Sequence, residues 1–79
     1  MENFSRFVVG PISKNAAGLF EVYDLELGCG CTVELEYEGH WVSGQIELDG
    51  ESYVFVSHEA QCLAPLADGM EIRFEVLIH

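Results

Sequence analysis

Four soft-ligand side chains carry the clearest chemical potential in this chain: Cys29 and Cys31 flank one glycine, and His58 and Cys62 stand four residues apart. Thiolate and imidazole suit a tetrahedral zinc ion, and His40 offers a further nitrogen. The Cys-x-Cys spacing relies on Gly30 to let both thiolates converge. His58 and Cys62 share a face only if residues 58–64 form one or two helical turns ending at Pro65. Packed, unligated thiols are the plainer reading, and redox sensing is a third. Three cysteines cannot all pair internally, which fits a reducing compartment better than a disulfide scaffold.

Carboxylates come next. Glu34, Glu36 and Glu38 alternate with apolar residues, so they are expected as a solvent-facing ladder. Acid–base catalysis would need one of them desolvated and its pKa raised, and the alternation argues against that. A weak divalent-cation site is a further reading of the same acids. No Ser-His-Asp spacing, phosphate-cradling glycine loop or metalloprotease signature is present. The expectation is a protein that is not an enzyme and carries no cofactor.

Trp41 and Tyr53 are expected to form an external aromatic patch on the face opposite Ile46 and Val54, rimmed by Glu47, Asp49 and Glu51. Such a patch would take a basic or proline-containing peptide, with aromatic area for contact and carboxylates for steering. Alternatively, Trp41 covers the open end of a barrel, or the patch mediates self-association.

Charge narrows the partners. The 79 residues hold 14 acids and 3 bases, a net charge of -11, and no Lys or Arg lies between Lys14 and Arg73. That field repels nucleic acid and anionic membranes but steers a basic protein or peptide toward it. The ladder Glu34, Glu36 and Glu38 raises a sharper alternative, a nucleic-acid mimic that blocks a nucleic-acid-binding protein. Half of the residues are hydrophobic, so this is not a disordered acidic tail. With no signal-peptide pattern and no apolar run of membrane-spanning length, the reading is a cytoplasmic single domain over residues 1–79, monomeric or weakly homodimeric.

Short strands must position these groups. Phe4–Val9 reads as a strand ending at Gly10-Pro11, and Leu19–Leu27 as one with a bend near Asp24. Residues 31–37, 41–49 and 52–56 read as a three-stranded antiparallel meander. Its turns fall at Gly39-His40 and at Asp49-Gly50, the second as a type I′ turn. Met70 onward resumes alternation, with Ile72, Phe74 and Val76 inward. Five to six mostly antiparallel strands closed into a small SH3-like barrel would remove most edges, and a two-layer sheet is the alternative.

The string Leu27-Gly28-Cys29-Gly30, Val33-Glu34, Trp41-Val42, Ile46-Glu47, Tyr53-Val54 and Gly69-Met70-Glu71-Ile72-Arg73 resembles a family of small bacterial domains of unknown function. The resemblance spans about residues 19–78. It departs at Gln45, where the family favours a basic residue, and at Ser52, where it favours an aromatic. It implies an SH3-like barrel and supplies no catalytic residues.

Overall fold

In the computed structural model, which describes residues 4–78, the chain forms nine strands. They are β1 (Phe4–Pro11), β2 (Ser13–Lys14), β3 (Phe20–Val22), β4 (Leu25–Leu27), β5 (Thr32–Tyr37), β6 (His40–Asp49), β7 (Ser52–Ser57), β8 (Cys62–Pro65) and β9 (Glu71–Ile78). A six-stranded sheet runs β1-β9-β5-β6-β7-β8, and a three-stranded sheet runs β2-β3-β4. All pairings are antiparallel. The three-stranded meander anticipated from alternation is β5-β6-β7.

The core lies where the small sheet meets the large one. Ile12, Phe20, Val22 and Leu27, from the small sheet and the residue leading into it, pack with Val33, Leu35, Ile46, Phe55, Leu66 and Ile72. Burying one face of each sheet against the other is how two antiparallel sheets remove apolar surface from water.

The closed barrel and the SH3-like fold expected from the sequence are corrected here. Both sheets are open: among the described residues β1 pairs only with β9, and β8 only with β7. Closure requires the two terminal strands to meet. β8 is only four residues long and ends at Pro65, which has no N–H to extend a ladder. Residues 13–27, meanwhile, build a separate sheet instead of supplying a closing strand.

The helical turns expected at residues 58–64 are also absent, and there is no helix among the described residues. Ser57 pairs with Cys62 across a four-residue loop, so Cys62 opens a strand. The Ser57 hydroxyl shapes that loop, accepting from the Ala60 N–H at 3.1 Å and donating to the Ser43 carbonyl at 2.7 Å. A local side-chain cap of this kind competes with helix formation.

Three turns differ in detail. The one expected at Gly39-His40 is centred on Glu38 and Gly39, both at positive φ, with Tyr37 paired to His40. The bend near Asp24 is a complete hairpin, with Tyr23 and Asp24 both at positive φ (49° and 70°) as a type I′ turn requires. The chain therefore reverses, and Leu27 returns to the core beside Phe20. At the β6-β7 hairpin Asp49 pairs with Ser52, which leaves Gly50 and Glu51 in the middle. Only Gly50 has positive φ, the signature of a type II′ turn and not the expected I′.

Candidate functional site

β6 organises the outer face of the large sheet. Its first half, His40–Gln45, pairs with β5, and its second half, Gln45–Asp49, pairs with β7. The strand changes partners beside Gly44, where a Cβ would lie 2.5 Å from the Val56 carbonyl oxygen and 2.6 Å from the Phe55 ring. Only glycine permits that approach. No residue is inserted along β6, so the period of two holds throughout: Trp41, Ser43, Gln45, Glu47 and Asp49 share one side, opposite Ile46.

The neighbouring strands complete this side. Glu36 stands across from Trp41, Glu34 stands across from Ser43 on β6 and from Arg73 on β9, and Val9 of β1 stands across from Arg73. The Glu34 carboxylate accepts from Arg73 Nε at 2.9 Å and Nη2 at 2.8 Å. The same guanidinium lies 4.7 Å from the Trp41 ring centre and 5.5 Å from that of Phe7. A planar guanidinium can bridge a carboxylate in two bonds while presenting its faces to aromatic rings, which a lysine ammonium cannot do.

The hydrogen bonds and charge of Arg73 hold the Glu34 carboxyl below the usual glutamate range, and those of Glu34 raise Arg73. This is the opposite of what a general acid at neutral pH needs. Beside the pair, β5 and β9 part after two paired residues, and a cleft of about 730 Å³ opens. Leu27, Val33 and Phe74 line it along with Glu34, Arg73 and Ser43.

The anticipated aromatic pair does not come together. Tyr53 stands across from Leu48, on the Ile46 side of β6, and packs partly against the core, whereas Trp41 stands on the outer side. Seven residues also separate Trp41 from Leu48, roughly 20 Å of extended strand. Val54, expected inward, is buried, but it stands across from Glu47 and not on the side of Phe55 and Ile46.

The anticipated carboxylates divide into two groups. Glu34, Glu36, Glu47 and Asp49 share the side of Trp41. Glu38 and Glu51 sit in hairpin turns, so the ladder of three glutamates reduces to Glu34 and Glu36. Glu36 in turn accepts from the Gly39 N–H at 2.9 Å. Glu47 accepts from the Cys29 thiol at 3.5 Å.

The soft ligands remain apart. Cys29 is exposed and Cys31 half-buried in the connection from β4 to β5, whereas exposed His58 and Cys62 bound the loop between β7 and β8. His40 lies at the start of β6, exposed. Among the described residues no three His, Cys, Asp or Glu side chains are grouped to hold a metal ion, and all three cysteines are free thiols.

Sequence reasoning missed Arg73 and Phe7. The available signal was that Arg73 is the sole base after Lys14 and occupies an outward position in a strand whose inward residues alternate cleanly. The distance in sequence between residues 7, 34, 41 and 73 concealed their convergence.

The chain belongs to the family described as Domain of unknown function (DUF5348), whose model matches residues 12–74. No curated protein and no solved structure matches it. The resemblance to an SH3-like barrel family is corrected by this match and by the open sheets.

Proposed function

We propose that this domain is a non-catalytic interaction module of the cytoplasm that binds a basic protein or peptide on the outer face of β5 and β6. One observation carries the reading. The strand register puts Glu36 directly across from the lone tryptophan and spaces Glu47 and Asp49 along the same side of β6, roughly 20 Å and more away, so that an extended peptide could meet all three, while among the described residues the one salt bridge is Arg73 with Glu34. The face thus keeps three carboxylates without a cationic partner, and Trp41 is held in place by the guanidinium on its ring. An incoming Lys or Arg side chain finds carboxylates to pair with and half-buried aromatic area to cover.

The nucleic-acid-mimic alternative draws less support, since Glu34 spends its charge on Arg73 and Glu38 lies in a turn. The zinc alternative draws none from four ligands that do not converge.

The test is titration with a Lys/Arg-rich peptide, followed through the fluorescence of Trp41, the sole tryptophan. The expected result is a saturable change that weakens with added salt. The triple variant Glu36→Gln, Glu47→Gln, Asp49→Asn should bind about tenfold more weakly, at roughly 0.5 kcal/mol for each exposed pair. Equal affinity of the variant and the parent, or a peptide that leaves Trp41 unperturbed, refutes this site.

A further inference from the structure

The cleft beside the Glu34 and Arg73 pair is a break in the large sheet. β5 and β9 pair at Glu34–Arg73 and Leu35–Ile72 and then part, and residues 31–33 of one strand and 74–76 of the other line the opening. The cleft therefore reaches through the sheet. Exposed Thr32, Ser43 and Glu75 stand at its outer mouth, and buried Leu27 and Val33 with half-buried Phe74 lie on the core side. Its volume of about 730 Å³ falls within the range of about 300–1,000 Å³ usual for ligand sites, which combine apolar walls with a few polar groups.

The backbone supplies part of that polar set. The Ile46 N–H donates to the Cys31 carbonyl at 2.9 Å, so along β5 the odd-numbered residues bond to β6, and Thr32, Glu34 and Glu36 turn their backbone groups toward β9. Glu34 meets Arg73 there, and by the same alternation Glu75 is the next residue of β9 to turn toward β5. Among the described residues no strand pairing reaches Thr32 from β9 or Glu75 from β5. Each of the two thus offers an N–H and a C=O to whatever enters the split.

Charge and position select the occupant. Glu26, Glu34 and Glu75 line the cleft against one base, Arg73, whose charge goes to Glu34. An anion is disfavoured there, and an apolar group carried next to a cation is favoured. The mouth also lies within the face assigned to the basic partner. Glu34 and Ser43 belong to both, and Ser43 follows Trp41 by two residues and precedes Glu47 by four, roughly 7 Å and 13 Å of strand. An extended peptide that reaches from Trp41 to Glu47 passes over the mouth.

We propose that the cleft takes one apolar side chain of the basic partner, a group the size of Leu, Ile or Phe placed between the bases that meet Glu36 and Glu47. The peptide amides beside that side chain bond the open backbone groups of the split. This inference rests on the basic-partner reading and names what that partner carries besides its bases. The carboxylates steer the peptide to the face, and the cleft fixes its register.

The test uses two peptides of equal Lys/Arg content, one with a central Leu and one with Ala in its place, each titrated against the full chain through Trp41 fluorescence. The Leu peptide should bind about tenfold more tightly, because only its side chain leaves water for the cleft. That ratio should hold as salt rises from about 0.1 M to about 0.5 M, while both affinities fall, since screening acts on charges and not on apolar burial. Nuclear Overhauser contacts should join the central Leu methyls to those of Val33 and Leu27, and amide exchange at Thr32 and Glu75 should slow with the Leu peptide. Thr32→Phe, a change at an exposed position lining the cleft, should occupy it and bring the ratio close to one.

Equal affinities for the two peptides overturn the cleft proposal and leave the basic-partner reading standing, whereas failure of both peptides to bind overturns both. A tenfold preference without contacts to Val33 and Leu27, or one that survives Thr32→Phe, seats the side chain elsewhere and overturns the proposal as well.

Discussion

Arg73 meets a carboxylate and two aromatic rings at once, and the consequence is a pH-dependent contribution to stability. Glu34 is held below its ordinary range by the Arg73 hydrogen bonds, with burial opposing and the Arg73 charge assisting. A carboxyl whose folded pKa is depressed contributes stability that is complete above the unfolded value and is lost as pH falls through the folded one. Comparing the melting temperature of the parent with that of Glu34→Gln isolates this from the other acids. The parent should be the more stable at neutral pH, with the gap closing as pH falls below about 4.3, the ordinary glutamate value. A gap that stays constant down to pH 2 would mean the pair does not act through ionisation. Both side chains keep about 30% exposure, so solvent screening limits the size of the gap.

Among the strands, β6 shows how one residue decides the placement of many. Gly44 lets β7 approach where the strand leaves β5, and the unbroken alternation through that change of partner keeps Glu47 and Asp49 in the same row as Trp41. Gly44→Ala forces a methyl against the Val56 carbonyl oxygen and the Phe55 ring, and Phe55 is fully buried and has no room to retreat. Chemical denaturation should show a loss of roughly 1–3 kcal/mol, the usual range for overpacking. An unchanged midpoint would mean the strand accommodates the methyl by shifting. Alternation revealed β6 and its flanking turns because a half-buried strand writes its burial into every second residue. It did not reveal the exchange of partners, since glycine in a strand has several explanations and the Phe55 ring that explains this one lies eleven residues away.

For the whole molecule, charge dominates. A net charge of -11 on 79 residues, with a radius of gyration of 12.6 Å, places many carboxylates within a Debye length of one another. Two acids even stand directly across a strand pair: Glu21 faces Glu26, and Asn15 Nδ2 donates to both, at 3.2 Å and 2.8 Å. Self-repulsion of this kind destabilises the compact state. The melting temperature should therefore rise between about 0.05 M and about 0.5 M sodium chloride, with the larger part of the gain at the low end. A temperature that falls across this range would show that local ion pairs outweigh the general repulsion. This effect of salt on the fold runs opposite to its effect on partner binding at the acidic face, which screening weakens.

The all-β class, the β5-β6-β7 meander and the inward rows Val33–Leu35 and Ile72–Phe74 were legible in the residue order, because alternation, turn residues and net charge are local or additive properties. The same order also contained the acid-free stretch from which β1 is built. Tertiary structure alone decided whether the strands closed, which side of the sheet Tyr53 took, and that Phe7, Glu34, Trp41 and Arg73 would meet. Closure depends on where the two outermost strands end in space, and convergence of distant residues depends on strand order and register. Neither quantity is encoded in any short window of sequence; both emerge when the two sheets bury their apolar faces against each other.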